Sequence, residues 1–244
     1  MRLVDIHSHI LPGVDDGSPD VETSVKLLEM CKEQGITDIV ATPHFDASVN
    51  NIEEFEYSVS QALSELKAAV DESYPNIYTG CEVFYFKGIG KSRGIRSLTL
   101  CGSRYILLEL PHTSIDGTIL KDISDISEVL GLIPIIAHIE RYAEQKGFKD
   151  LLKLLATGVG YAQINAAAVL SPAYKRTVKK LMKRGYISFI ATDTHSPVHR
   201  PPLMREALDE VAATFGEDYR DMFIKNTEYF YNTAVGRKEN TNEK

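Results

Sequence analysis

The feature that most constrains the fold of this chain is an alternation between short hydrophobic runs and longer amphipathic stretches. The runs are mostly rich in Val, Ile or Leu, as is typical of strands that are buried on both faces. Helical patterns separate them, so the sequence predicts an α/β fold with a parallel sheet, built either as an open sheet or as a barrel. The seven predicted strands are Leu3–Ile6, Asp38–Ala41, Ile77–Glu82, Tyr105–Leu110, Ile133–His138, Tyr161–Asn165 and Ile187–Thr192.

The amphipathic stretches between these strands show helical spacing and helix boundaries. Ser18-Pro19-Asp20 supplies an N-cap, a proline at the first helical position and an acid in the first turn, and Gly35 ends that helix. The predicted helices are Val21–Gln34, Ile52–Val70, Ile119–Leu130, Phe148–Leu155, Tyr174–Lys183, Leu203–Phe215 and Tyr219–Val235. No repeat or linker divides the chain, so residues 1–235 are predicted to form a single domain, followed by a frayed polar tail over 236–244.

Composition and charge exclude several classes of function. The 244 residues carry a formal net charge of −7, so a nucleic-acid partner held by a broad basic face is not expected. A chain of this size buries enough surface to fold without a metal, so a bound metal would serve chemistry. There is no apolar N-terminal stretch of signal-peptide length and no run of 18 apolar residues. We therefore expect a cytoplasmic protein that does not insert into a membrane.

Residues that can bind metal follow nearly every predicted strand. Because parallel strands end at the same rim of a barrel, these side chains are expected to lie together. Alternate residues of an extended segment point to the same side, so the two histidines of the first motif can reach one ion. In chain order the rim residues are His7, His9, Asp15, Asp16, His44, Glu82, Glu109, His138, Arg141, Asn165, Asp193 and His195.

Each of these residues alone has an ordinary structural explanation, such as a satisfied core histidine or a salt bridge. Together, five histidines and four carboxylates exceed what one ion can use and imply a cluster of two or three ions bridged by a carboxylate. Mixed imidazole and carboxylate ligands favour Zn, Mn or Fe over Ca or Mg. Such clusters activate water near neutral pH, so the pattern indicates hydrolytic chemistry.

Several short motifs, in a fixed order, resemble those of a known superfamily. The segments DIHSHILPGVDDG, TPH, GCE, LLELP, AHIERY and TDTH are similar to those of the PHP (polymerase and histidinol phosphatase) superfamily. VDDG, SRYILLELP, IAHIERY and the later RPP make the chain more closely similar to bacterial manganese-dependent protein-tyrosine phosphatases of capsule and exopolysaccharide operons. The resemblance implies a distorted (β/α)7 barrel, the PHP fold, that holds three divalent metal ions. Mn is expected, with Fe or Zn as alternatives.

The resemblance also implies a role for each rim residue. His7, His9, Glu109 and Asp193 would hold one ion, and Glu82, Glu109 and His138 a second, with Glu109 bridging the two. Asp16, His44 and His195 would hold the third ion. Arg141 and Arg200 would match the basic residues that face the phosphate, since an arginine fork suits phosphate oxygens by geometry and charge.

The chain departs from the family pattern in a few places. It reads HIER where the family often has HPER, and TDTHS where SDAHN or SDMHN is common; the loop before Arg200 is short and includes His199. None of these changes removes a proposed ligand. Asp5 and Asp15 are candidates for orienting the ligand histidines. Asp5 is favoured because it shares the strand parity of His7 and His9, and a local turn role fits Asp15 equally well.

These features predict a phosphoric monoester hydrolase, specifically a protein-tyrosine phosphatase, that acts by direct attack of metal-bound hydroxide. The resemblance implies a partner, the phosphotyrosine-bearing cytoplasmic tail of a bacterial tyrosine kinase that controls polysaccharide synthesis. A cysteine nucleophile is excluded, because no arginine stands six positions after Cys31, Cys81 or Cys101. Two alternatives stay open: a phosphatase for a small phosphomonoester such as histidinol phosphate, and a non-catalytic module that regulates the kinase. The glycine-rich basic segment Gly88–Gly94 is predicted to be a plain surface loop.

Overall fold

Short, buried strands form a parallel sheet in the structure, a computed structural model that describes residues 2–236. Every pairing between neighbouring strands of this sheet is parallel, as the sequence predicts. The tail predicted for 236–244 lies, from residue 237 onward, outside the described residues. The strands are β1 (Val4–Ser8), β2 (Asp38–Ala41), β3 (His44–Phe45), β4 (Asn76–Thr79), β5 (Glu82–Phe84), β6 (Tyr105–Glu109), β7 (Ile133–Ile136), β8 (Tyr161–Asn165) and β9 (Phe189–Ala191).

These strands occupy seven barrel positions, because two positions hold an interrupted strand. β2 and β3 are two halves of one position, and β4 and β5 are two halves of the next. Of the first halves, β2 pairs with β1 on one side and with β4 on the other. Of the second halves, β3 pairs with β5, and β5 pairs with β6. The sheet closes on itself where Ser8 of β1 forms a parallel bridge with Thr194, just after β9. The predicted distorted (β/α)7 barrel is confirmed.

The interruption in the third barrel position has a steric cause. A Cβ at Gly80 would lie 2.6 Å from the Leu100 side chain and 2.8 Å from its Cα, so only glycine allows the close approach of these two segments. The sequence therefore overestimates one strand, since Ile77–Glu82 is two short strands. It also missed the second half of the preceding position, His44–Phe45.

The helices lie where the sequence predicts them, with three differences. Asp20 rather than Ser18 is the first N-cap, and its carboxylate accepts from the backbone N–H of Thr23. A short helix, Ala166–Leu170, was not predicted. Gly88–Gly94 is not a plain surface loop, because Gly90 packs closely against the backbone of Asp122: a Cβ at Gly90 would lie 2.5 Å from Asp122 O. The helices are α1 (Val21–Glu33), α2 (Ile52–Ala68), α3 (Gly117–Glu128), α4 (Phe148–Leu155), α5 (Ala166–Leu170), α6 (Lys175–Lys183), α7 (Met204–Phe215) and α8 (Glu217–Ala234).

Two hydrophobic clusters hold the barrel together. The larger one lies between the sheet and the surrounding helices. The smaller one joins inward-facing strand residues such as Leu107 and Phe189 to Phe230 and Tyr231 of α8, so α8 closes the amino end of the barrel interior. The carboxyl end of the interior is left for polar residues. Within residues 2–236, no helix combines the length and apolar character needed to span a membrane.

Candidate metal centre

The carboxyl end of the barrel interior gathers all nine residues predicted as metal ligands. Eight of the nine form three groups, and within each group the potential ligand atoms lie within 4.8 Å of one another. The groups are His9, Asp16, His44 and His195; His7, His9, Glu82 and Asp193; and His44, Glu82 and Glu109. His138 joins them, because its Nε2 lies 2.8 Å from Glu82 Oε1 and 3.6 Å from Glu109 Oε1.

Glu82 lies at the centre of this cluster. Its Oε2 is 3.2 Å from His7 Nε2 and 3.3 Å from His9 Nε2, and its Oε1 faces His138. The resemblance implies a bridging position for Glu109, whereas in the structure Glu82 is the carboxylate that faces three of the histidines. The reason is position on the strands: Glu82 begins β5 inside the barrel and is fully buried, whereas Glu109 ends β6 at the rim with 12% of its side chain exposed.

Asp193 connects the cluster to both predicted phosphate-binding arginines. Its Oδ1 lies 3.4 Å from His7 Nε2, while its Oδ2 accepts from Arg141 Nη2 at 2.8 Å and from Arg200 Nη2 at 2.5 Å. Asn165 Nδ2 donates to the same Oδ2 at 2.6 Å. One carboxylate therefore faces the histidines with one oxygen and fixes the two guanidinium groups with the other.

Two of the cluster residues have left-handed backbone conformations that are unusual outside glycine. His138 has φ of 29° and Asp193 has φ of 51°, and each is the second residue after a short barrel strand. Such conformations cost free energy and persist where the surrounding structure requires them, which is commonly at functional sites. They turn both side chains from the ends of their strands into the cluster.

The Nδ1 atoms of three histidines each face an oxygen acceptor. His7 Nδ1 lies 3.2 Å from Gln163 Oε1, His9 Nδ1 lies 2.6 Å from Asp15 Oδ2, and His195 Nδ1 lies 3.0 Å from the Asp193 carbonyl oxygen. An acceptor at Nδ1 holds the proton there and leaves the Nε2 lone pair free for a metal. The three Nε2 atoms point into the cluster.

Asp15, not Asp5, orients a ligand histidine. Asp15 also accepts hydrogen bonds from the backbone N–H groups of His44 and Gly17. Gly17 packs against the backbone of His9 so closely that a Cβ there would lie 2.3 Å from His9 O. The expectation for Asp5 was wrong because β1 has a bulge between Asp5 and Ser8, which breaks the side-chain alternation. Asp5 instead accepts from the N–H and hydroxyl groups of Thr192 and so joins β1 to the end of β9.

Gln163 is a site residue that the sequence reasoning missed. Its Oε1 accepts from the backbone N–H of His138 at 2.8 Å as well as facing His7, and its Nε2 donates to Asn165 Oδ1 at 2.8 Å. A chain of hydrogen bonds thus runs from His7 through Gln163 and Asn165 to Asp193. The available signal was its place two residues before Asn165, on the same face of a buried strand.

Opposed charges shape the pKa values in the cluster. Burial alone would lower the pKa of His9, but the Asp15 and Glu82 carboxylates raise it to about 10. Burial would raise the pKa of Glu82, but His7 and the neighbouring histidines hold it well below its usual range. Burial and the charge of Glu82 raise the pKa of Glu109 to about 7. Protons on His7 and His9 thus balance the carboxylates, and divalent cations in this place would displace those protons.

The donor set fits metal ions. Glu82 Oε2 and His195 Nε2 are buried and have no hydrogen-bond partner among the described residues. Leaving a buried carboxylate oxygen and a buried imidazole nitrogen without partners costs free energy, and cations bound in the cluster would give each of them a partner. Mixed nitrogen and oxygen ligands suit Mn, Fe or Zn. The arrangement can therefore hold a cluster of transition-metal ions next to two arginines.

Comparisons with known proteins place this geometry in a family. The model of the family described as capsular polysaccharide synthesis, CpsB/CapC, matches residues 3–232. The tyrosine-protein phosphatase CpsB of Streptococcus pneumoniae is 32% identical over 241 residues, covering 92% of this chain and 96% of the relative. The tyrosine-protein phosphatase YwqE of Bacillus subtilis is 30% identical over 232 residues, covering 93% of this chain and 90% of the relative.

Solved structures agree with the sequence comparisons. A crystal structure from the work on YwqE of Bacillus subtilis and CpsB of Streptococcus pneumoniae, described as unique metal-dependent tyrosine phosphatases, matches with a TM-score of 0.80. The match has 27% identity and covers 93% of both chains. An amidohydrolase 2 from Bifidobacterium longum subsp. infantis, 16% identical with a TM-score of 0.54, covers 96% of this chain and 99% of its own and shares the fold alone. The chain belongs to the CpsB/CapC family of capsular polysaccharide synthesis.

Proposed function

We propose that this chain is a metal-dependent protein-tyrosine phosphatase that acts in the cytoplasm on the phosphotyrosine-bearing tail of a bacterial tyrosine kinase controlling polysaccharide synthesis. The observation that carries the proposal is the convergence of Arg141 and Arg200 on Asp193, at the edge of a buried cluster of histidines and carboxylates. Two guanidinium groups next to a metal site are suited to a phosphate monoester. The tyrosine-phosphatase names of the relatives support the same substrate class.

The cluster would hold three divalent ions, with Mn favoured and Fe or Zn as alternatives. Glu82 is the proposed bridging ligand. The three proposed sets are His7, His9, Glu82 and Asp193; Glu82, Glu109 and His138; and Asp16, His44 and His195. When bound, the ions supply an activated water molecule and neutralise phosphoryl oxygens.

The arginines bind and orient the phosphate. Their side chains are 30% and 38% exposed, so they reach solvent while Asp193 fixes their positions. Both line a cavity of about 440 Å³, together with Asn165 and Tyr174. Because the guanidinium groups are held in place before substrate arrives, they neutralise charge on the phosphoryl oxygens with little rearrangement.

The exposure of the outer ligands favours a protein substrate over an enclosed small molecule. The side chain of Asp16 is 71% exposed and that of His44 is 36% exposed, so the third ligand set lies at an open rim. A phosphotyrosine side chain on a flexible segment reaches such a rim directly. A small phosphomonoester is better discriminated by a pocket that surrounds it.

Phosphate release from a phosphotyrosine peptide by metal-stripped protein, with and without added Mn, tests the proposal. We expect release to depend on Mn, to fall to background in His138→Ala, and to be much slower with histidinol phosphate. Faster turnover of histidinol phosphate would overturn the substrate class but not the metal site. Absence of release with Mn, Fe or Zn from folded protein, with binding of a kinase retained in His138→Ala, would indicate a non-catalytic regulatory module.

A further inference from the structure

Helix α6 carries an unusual concentration of positive charge for an acidic protein. The segment from Lys175 to Arg184 contains six Lys and Arg residues and no Asp or Glu, although the chain as a whole has a net charge of −7. All six are exposed, and the residues between them, such as Val178 and Leu181, are buried against the barrel. The six residues, here called the α6 basic face, are Lys175, Arg176, Lys179, Lys180, Lys183 and Arg184.

The α6 basic face has no counter-charges within the described part of the chain. None of its six residues forms an ion pair within residues 2–236, whereas Lys121, Lys153 and Arg220 on other helices pair with neighbouring carboxylates. Glu210 of α7 lines a small groove with Lys175 and Lys179, but its Oε1 accepts from Thr214 and makes no ion pair with either lysine. The positive charge of this face is therefore uncompensated.

This charge pattern works against the helix that carries it. Lys175 and Lys179 are four positions apart, as are three further basic pairs along α6, and like charges at this spacing destabilise a helix. The first turn has two cations and no acid, and no side chain caps the amino end, so the helix dipole opposes these charges. Lys180 and Lys183 in the last turn interact favourably with the dipole, so the cost lies in the first turn and in the like-charge pairs. An anionic partner bound along the helix would offset that cost.

The α6 basic face begins at the candidate active site. Tyr174, the residue directly before α6, lines the 440 Å³ cavity that also contains Arg141 and Arg200. Asp193 also lines this cavity. A peptide whose phosphotyrosine contacts the two arginines would therefore leave the cavity next to the first turn of α6, where Lys175 and Arg176 are exposed.

We propose that the α6 basic face is a docking surface for an acidic or multiply phosphorylated peptide segment next to the phosphotyrosine being hydrolysed. The inference rests on the proposed phosphatase function and deepens it. Charge complementarity selects this occupant, because a segment bearing several carboxylates or phosphates relieves the repulsion along α6 and is steered towards the cavity. The preferred substrate is thus a strongly anionic peptide, with residues outside the reacting phosphate contributing to its recognition.

The test compares Lys175→Gln/Lys179→Gln/Lys180→Gln with a control of equal charge, Lys26→Gln/Lys67→Gln/Lys225→Gln, whose lysines are exposed on α1, α2 and α8. Kinetics are measured with Mn-loaded protein on two phosphotyrosine peptides, one with acidic flanks and one with neutral flanks, and on p-nitrophenyl phosphate. We expect the α6 variant to raise KM for the acidic peptide about tenfold, with kcat unchanged. The other two substrates and the control variant should change by less than about twofold, and added salt should remove the wild-type preference.

Equal KM values of wild type and α6 variant for the acidic peptide would overturn the proposal, as would an equal loss in the control. Sedimentation with phosphatidylserine vesicles that depends on the α6 lysines, with peptide KM unaffected, would overturn it in favour of membrane binding. Failure of the phosphatase function itself is seen separately, as wild-type protein inactive on every peptide. Anisotropy of a labelled acidic phosphopeptide then decides: weaker binding by the α6 variant supports the docking surface, and equal binding refutes it.

Discussion

Each end of the barrel interior contains fully buried side chains, but the two ends are chemically opposite. At the amino end, Phe230 is fully buried, with its ring 5.1 Å from that of Tyr105 and 6.3 Å from that of Phe189. At the carboxyl end, Glu82 is also fully buried, but histidines surround it and one of its oxygens has no hydrogen-bond partner among the described residues. Burial favours folding at the amino end through removal of apolar surface from water, whereas at the carboxyl end it desolvates charges.

The change from one environment to the other occurs within two residues of β1. Ile6 belongs to the apolar cluster closed by α8, and His7 belongs to the metal centre. The bulge between Asp5 and Ser8 allows both side chains to face the interior, since regular alternation would send one of them outward. The comparison indicates that the amino end supplies stability and the carboxyl end supplies activity, so substitutions at the two ends should separate these properties.

The largest expected effect is the loss of activity in Glu82→Gln. This nearly isosteric change removes the central negative charge of the cluster, so metal-dependent phosphatase activity should fall by on the order of 10³-fold or more. The rise in melting temperature on adding Mn should disappear, because the variant lacks the central carboxylate of the cluster. Calorimetry and phosphate release measure these effects, and Glu65→Gln, an exposed site on α2, is the control.

The converse result is expected at the amino end. Phe230→Ala leaves a cavity under α8 and should lower the free energy of unfolding by about 3–5 kcal/mol. Below its reduced melting temperature, the variant should keep kcat/KM within about threefold of wild type, because distant sites act nearly independently. Denaturant unfolding and initial rates provide the two measurements. If folded Phe230→Ala lost its Mn-dependent activity, the two ends of the barrel would be coupled, and stability and activity would not be separable in this way.

Much of this division could be predicted from the sequence, because it depends on local patterns. Hydrophobic runs located the barrel strands, and the chemical types of the residues that follow them located the cluster. What the sequence did not reveal depends on contacts between distant segments. The break at Gly80 follows from its approach to Leu100, and the place of Gln163 follows from a hydrogen bond to His7, which is far away in the chain.

The two aspartates near the histidines show the limit of strand parity as a predictor. Parity favoured Asp5 as the residue that orients a ligand, because regular alternation puts it on the face of His7 and His9. The bulge in β1 shifts the register between Asp5 and Ser8, so the prediction fails. A bulge is set by pairing with a neighbouring strand, and the sequence of one strand does not reveal it.

The smallest expected effect uses these two aspartates as a matched pair. Asp15→Asn weakens the 2.6 Å contact to His9 Nδ1, and because partners of this kind fix the ligand tautomer, the Mn concentration for half-maximal activity should rise about 10–100-fold. Asp5→Asn keeps acceptors for the Thr192 and His7 backbone N–H groups and touches no ligand ring, so its Mn requirement should stay within about threefold of wild type. Mn titrations of both variants measure this difference. A larger change in Asp5→Asn would mean that the contact between β1 and β9, rather than the orientation of His9, limits metal binding.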